Sequence, residues 1–199
     1  QYKKMRLIGI TGGIGSGKSH LSSFIKDLGF PVYNSDLRAK NIVNNKKVKE
    51  QIISIFGERA YIQNEYNTKY IASEVFNNDE LLNQLNQIIH PEVQKDFHIF
   101  VKVRANEGAR LIFKESALLV ETEAFRSLDK LILVTAPKEV RKNRVLKRKG
   151  MSKAKFEAIF AKQAKDHLKV QFADIVVENN EANPFLPKLM KFLNELNTN

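Results

Sequence analysis

Cysteine is absent from the 199 residues, so disulfides, thiolate metal sites and cysteine nucleophiles are excluded. No apolar run approaches the ~18 residues that a membrane-spanning helix needs, and no hydrophobic stretch follows a basic start in the manner of a secretion signal. The expectation is a cytoplasmic protein with no membrane partner. Internal repeats and low-complexity tracts are also missing, and 43% hydrophobic with 28% charged residues is far from the composition of a disordered chain. A chain of this length folds as one unit with room for a small insertion or lid. The first methionine is Met5, and the four residues before it are assigned no function.

Acidic residues are under-represented: the formal net charge is +11. Much of the excess sits between Lys138 and Lys155, where nine cations face one anion, Glu139. Such a cluster suits a polyanion, either nucleic acid or the phosphates of a nucleotide. It also suits a solvated helix face, and composition alone leaves both open.

Arg6-Leu-Ile-Gly-Ile-Thr11 is a short apolar run ending in glycines, a buried strand feeding a turn. Lys18 to Leu28 then carries Leu21, Phe24, Ile25 and Leu28 at helical spacing, with Gly29 as the stop. A second strand is expected over Phe30–Tyr33, a helix over Leu37–Val43, and helical segments over Val48–Phe56 and Leu81–Val103 separated by a polar loop from Gln63 to Lys69. Strands follow at Arg110–Lys114, Leu131–Thr135 and Ala173–Val177, with helices over Glu139–Lys147, Ser152–His167 and Pro184–Leu196. Strands alternating with helices predict a three-layer α/β fold with a mainly parallel sheet, whose ligands bind beyond the carboxyl ends of the strands.

Gly12-Gly-Ile-Gly-Ser-Gly17-Lys18-Ser19 lies at that end of the first strand and fits G-x-x-x-x-G-K-[ST] without a gap. The glycines let the loop curl with its amides inward, so Gly13, Ile14, Gly15, Ser16 and Gly17 form an anion nest at the helix N-terminus. Lys18 reaches the outer phosphates and the Ser19 hydroxyl joins the Mg²⁺ shell. ATP and Mg²⁺ are therefore the expected ligands. The base-reading N-K-x-D of GTPases is absent, which leaves phosphotransferases and ATPases.

Asp36 ends the second strand candidate. A carboxylate there can orient an acceptor hydroxyl and take its proton, or it can simply cap the next helix. Arg144 and Arg148 are four apart on a predicted helix, an arginine face able to close over a nucleotide as a lid hinged at Gly150. His90-Pro91 reads as a helix terminus or as an acceptor-site group.

From Met5 to about Leu196 these elements, in this order, resemble the dephospho-coenzyme A kinase family. LIGITGGIGSGKS resembles its first strand and phosphate loop, and Asn34-Ser35-Asp36 falls where the family has Asp-Ala-Asp. His90-Pro91 matches its His-Pro element, and Glu115 to Glu121 is similar to its Pro-Leu-Leu-x-Glu segment, with Ala117 in place of proline. Arg144 and Arg148 match its lid arginines, Gln163 its lid glutamine, Lys169 a basic position, and Ala173-Asp174 with Asn179 its last-strand element.

The resemblance implies transfer of phosphate from ATP to the ribose 3′-hydroxyl of dephospho-coenzyme A. It makes Asp36 the base, Lys18 and Arg144 catalytic, Arg148 and Asn179 further nucleotide contacts, and His90, Leu118 and Glu121 acceptor contacts. It implies a P-loop kinase fold with core segments 5–45, 109–138 and 168–199, a helical acceptor-binding region 46–108 and a lid 139–167. A monomer or weak homo-oligomer without a nucleic-acid partner is expected. Two rivals share parts of the pattern: a nucleoside monophosphate kinase, and a nucleic-acid-dependent ATPase using the basic cluster.

Overall fold

The computed structural model describes residues 5–76, 78–180 and 185–198; residues 1–4, Asn199 and the expected helix start at Pro184 lie outside them. In chain order the elements are β1 (Arg6–Thr11), α1 (Lys18–Asp27), β2 (Val32–Asn34), α2 (Ser35–Ile42) and α3 (Lys46–Phe56). There follow β3 (Tyr61–Ile62), β4 (Glu65–Tyr66), α4 (Thr68–Val75), α5 (Asp79–Asn106), β5 (Leu111–Glu115) and β6 (Lys130–Thr135). The chain ends with α6 (Lys138–Leu146), α7 (Lys153–Lys162), α8 (Asp166–Val170), β7 (Ile175–Glu178) and α9 (Leu186–Thr198).

Two compact units are formed, one from Gln1–Tyr33 with Arg104–Asn199, the other from Asn34–Val103. The first carries the five-stranded sheet, ordered β2-β5-β1-β6-β7. β1 runs parallel to both β5 and β6, and β6 runs parallel to β7. The apolar runs read from the sequence are buried because this sheet is covered on both faces. Ile8, Ile10, Phe113, Ile132 and Val134 join Leu21 and Ile25 of α1 and Leu189 and Leu193 of α9 in one core. β1 is therefore central, and the loop after Thr11 leaves from the middle of the sheet's carboxyl edge.

The second unit has its own core of Val48, Ile52 and Phe56 from α3, Ile71 from α4 and Leu85 from α5. Val43, just past α2, is buried in the same cluster and accepts the Tyr61 hydroxyl proton at 2.5 Å. That packing draws α2 into this unit, although the sequence grouped it with the sheet.

Three expectations are corrected here. The polar segment Gln63–Lys69 is not a plain loop: Gln63 and Asn64, at φ 49° and 69°, turn the β3–β4 hairpin, and Asn67 caps α4 by accepting from the Tyr70 amide at 3.2 Å. His90-Pro91 does not end a helix, because α5 continues through Pro91 for 28 residues in all. Proline lacks only the one N–H that Gln87 would have received, and the turns on either side keep theirs. The helix expected over Ser152–His167 is broken into α7 and α8, with Gln163 extended at φ −78°, ψ 144°.

Candidate functional site

The loop from Gly12 to Ser19 connects the central strand to α1, and its backbone is shaped by glycine where no other residue fits. Gly17 caps α1 at φ 99° without a capping side chain of its own, and an added Cβ would run into the Asn179 amide. Gly15, at φ 75°, has the Arg141 backbone oxygen 2.6 Å from where its Cβ would stand. A helix N-terminus carries partial positive charge and outward-facing N–H groups, so this end of α1 is an anion cradle. Lys18 Nζ lies 3.4 Å from the Gly13 oxygen, and the Ser19 hydroxyl donates to Glu115 Oε1 at 3.0 Å.

Residues 138–180 surround the cradle from the other side. Arg144 Nη1 and Asn179 Nδ2 both point at the Ser16 carbonyl, at 3.5 and 3.1 Å. Gln163 Oε1 accepts from the Ile14 amide at 2.7 Å. Arg148 does not share a helix face with Arg144, because α6 stops at Leu146 and Arg148 sits in the exposed turn beyond it. His20 packs edge-on against the Phe185 ring at 5.7 Å.

The break between α7 and α8 has a cause in side-chain hydrogen bonds. Gln163 is held by the cradle, the Ala164 amide donates to Glu121 Oε1 at 3.1 Å, and Asp166 accepts from both terminal nitrogens of Arg141. Arg141 is buried, and its Nε donates to the Ala136 carbonyl at the end of β6 at 2.6 Å. Three anchors within four residues outweigh the helical periodicity that the sequence carries through this stretch.

The four residues that the sequence assigned to an acceptor are placed as follows. Asp36 is exposed in the first turn of α2. It does not cap that helix; Asn34 does, its side chain accepting from the Leu37 amide at 2.8 Å. His90 is exposed inside α5. Leu118 is exposed in the turn after β5, its carbonyl accepting the Thr122 hydroxyl at 2.7 Å. Glu121 pairs at 2.7 Å with Lys169, a cation with 0% exposure, and so supplies the charge partner that a buried ammonium requires.

Sequence reasoning missed Glu115 and Arg141. Glu115 ends an apolar strand at the carboxyl edge of the sheet beside the cradle, and that position was its signal. Arg141 was hidden as one of nine cations in a single segment, because composition registers charge and not burial. Lys114, next to Glu115, is also buried, and desolvation pulls its ammonium below the usual lysine range. The cradle can thus bind the phosphates of a nucleotide, with Ser19 and Glu115 as paired oxygen donors at its mouth.

Comparison with known proteins adds a family to this geometry. The family model described as dephospho-CoA kinase matches residues 6–184. A dephospho-CoA kinase of Fusobacterium nucleatum is 35% identical over 175 residues, covering 87% of this chain and 89% of the relative. Among solved structures, a protein of Thermus thermophilus superposes with TM-score 0.84 at 32% identity over 98% of this chain and 99% of its own. A dephospho-CoA kinase from Campylobacter jejuni does so at 0.69 with 25% identity over 96% of each chain.

Proposed function

The chain belongs to the dephospho-CoA kinase family, and from that premise we infer that it transfers the γ-phosphoryl group of ATP to the ribose 3′-hydroxyl of dephospho-coenzyme A. The products are coenzyme A and ADP. The observation that carries the reading is the match across residues 6–184 on a chain whose cradle keeps every element of a phosphate site.

The amides from Gly13 to Gly17 and the first turn of α1 bind the phosphates, and Lys18 neutralises the outer ones. Asn179 and Arg144 flank the cradle at Ser16, and Arg148 extends that basic side into the exposed turn. The Ser19 hydroxyl and the buried Glu115 carboxylate, 3.0 Å apart, are hard oxygen donors of the kind Mg²⁺ prefers alongside phosphate oxygens. When bound, Mg²⁺ offsets the charge of the triphosphate.

His90, Leu118 and Glu121 are acceptor contacts in this reading. Asp36 orients the 3′-hydroxyl and takes its proton as that oxygen bonds to phosphorus and the β,γ-bridging oxygen leaves on ADP. Arg144 stabilises charge on the phosphoryl group in transit. The reaction belongs to the cytoplasm in this reading, carried out by a monomer or weak homo-oligomer.

A coupled ADP-release assay with dephospho-coenzyme A, AMP and dTMP in parallel tests the inference. Dephospho-coenzyme A should raise ADP release far above the acceptor-free rate. Release no faster than without acceptor overturns the reading, and stimulation by AMP or dTMP instead assigns a nucleoside monophosphate kinase.

A further inference from the structure

The peptide unit joining Gly13 to Ile14 is held from both ends. Its carbonyl faces Lys18 Nζ at 3.4 Å and accepts from the Ser16 amide at 3.2 Å, while its N–H donates to Gln163 Oε1 at 2.7 Å. An inward amide of a phosphate cradle is thus engaged by a side chain from the segment between α7 and α8. The next residue of that segment, Ala164, gives its own N–H to Glu121. One continuous chain of contacts therefore runs from the lysine that meets the outer phosphates, through a single peptide and a two-residue strap, to a carboxylate on the turn after β5.

Space for the strap to move is present. A cavity of about 310 Å³ lies beside it, lined among others by Gly13, Ala136, Arg141, Phe160, Gln163 and Asp166. The strap leaves helical conformation at Gln163, whose amide still donates to the Ile159 carbonyl at 3.1 Å, so it is the Gln163 side chain and Ala164 that have room to shift.

We propose that Gln163 is a positioning residue that couples the donor site to the acceptor turn. The proposal rests on the reading of Glu121 as an acceptor contact. In the structure Gln163 takes the Ile14 amide and the strap keeps the Ala164 amide on Glu121. Triphosphate draws Lys18 off the Gly13 carbonyl and competes for the Ile14 amide, so Gln163 withdraws toward the cavity. Ala164 then leaves Glu121, whose carboxylate stays paired with Lys169 and gains an accepting position for the acceptor. Donor occupancy thereby raises acceptor affinity, and by linkage the acceptor raises donor affinity by the same factor.

Calorimetric titration of dephospho-coenzyme A, with and without saturating Mg²⁺ and a β,γ-imido analogue of ATP, reads the coupling directly. In the unsubstituted protein the analogue should tighten the acceptor at least ~5-fold, the lower end of usual couplings. Gln163→Leu should bind the acceptor equally with or without analogue, at the affinity of the analogue-loaded parent. Gln163→Glu keeps an accepting oxygen and should keep the coupling; because the factor is taken at saturation, any loss of nucleotide affinity drops out. A Gln163→Leu protein that retains the parent's factor, or a parent showing none, overturns the proposal. Failure of the parent to bind dephospho-coenzyme A under either condition overturns the acceptor assignment itself, a separate and recognisable result.

Discussion

The cap of α2, one of the two tasks the sequence left open for Asp36, falls to Asn34. Asn34 Oδ1 satisfies the Leu37 amide at 2.8 Å, and Asp36 adds a favourable charge in the first turn of α2, which contributes a few tenths of a kcal/mol. Asn34→Ala should therefore destabilise the protein by about 1 kcal/mol, the usual cost of a lost cap, measured by urea unfolding. Asp36→Asn is isosteric and keeps the cap. If Asp36 takes the acceptor proton, kcat should fall ~10²- to 10⁴-fold while KM for ATP moves less than about 3-fold. A near-normal kcat in a folded Asp36→Asn protein removes the base assignment. The same separation explains how this chain has asparagine where the family pattern has a first aspartate: an amide oxygen accepts a backbone hydrogen bond as a carboxylate oxygen does.

Elements whose signal is local were legible, and elements set by distant partners were not. β1, the cradle and α1 follow from a strand-like run, four glycines and an apolar stripe within 28 residues of each other, and the structure has them within a residue or two of the expected bounds. The α7–α8 break depends on Glu121, Arg141 and Ile14, which are 25 to 149 residues away and leave no mark on the local periodicity. The β3–β4 hairpin escaped because its turn uses Gln63 and Asn64 at positive φ where glycine would have announced it. That hairpin carries a pH dependence of its own. Burial pushes the Tyr61 and Tyr66 hydroxyls up to about 12, with the neighbouring Tyr61 adding to the effect on Tyr66. Below about pH 10 both phenols are protonated in folded and unfolded chains, and their contribution is complete. Between about 10 and 12 the unfolded chain loses the protons first, so stability should fall as pH rises. Denaturant unfolding at pH 8 and at pH 11 should show this loss. Tyr61→Phe should weaken the protein by about 1 kcal/mol at pH 8 through the lost bond to Val43, and should flatten the alkaline decline.

At the scale of the whole molecule, charge is concentrated as well as abundant. Nine of the cations behind the +11 lie between Lys138 and Lys155, and the structure sorts them by use. Arg141 is buried on Asp166, Arg144 reaches the cradle, Lys138 pairs with Glu157 at 2.8 Å and Lys142 with Glu139 at 2.9 Å. Lys147, Lys149 and Lys153 are exposed on the turn after α6 and the start of α7. These exposed lysines create a field that acts on polyanions before contact, and such a field raises association rates without changing a bound transition state. Raising salt from about 50 to about 300 mM shortens the screening length from roughly 14 to 6 Å. kcat/KM for ATP should drop at least ~3-fold over that range while kcat changes less than about 2-fold. Replacing Lys147, Lys149 and Lys153 together by glutamine should lower kcat/KM at low salt and flatten its salt dependence, with kcat retained. A nucleic-acid-dependent ATPase would behave differently: duplex or single-stranded DNA would stimulate hydrolysis, and binding would weaken steeply with salt as counterions are released. An unchanged salt profile in the triple variant would mean that the exposed cations of this segment are a solvated face and nothing more.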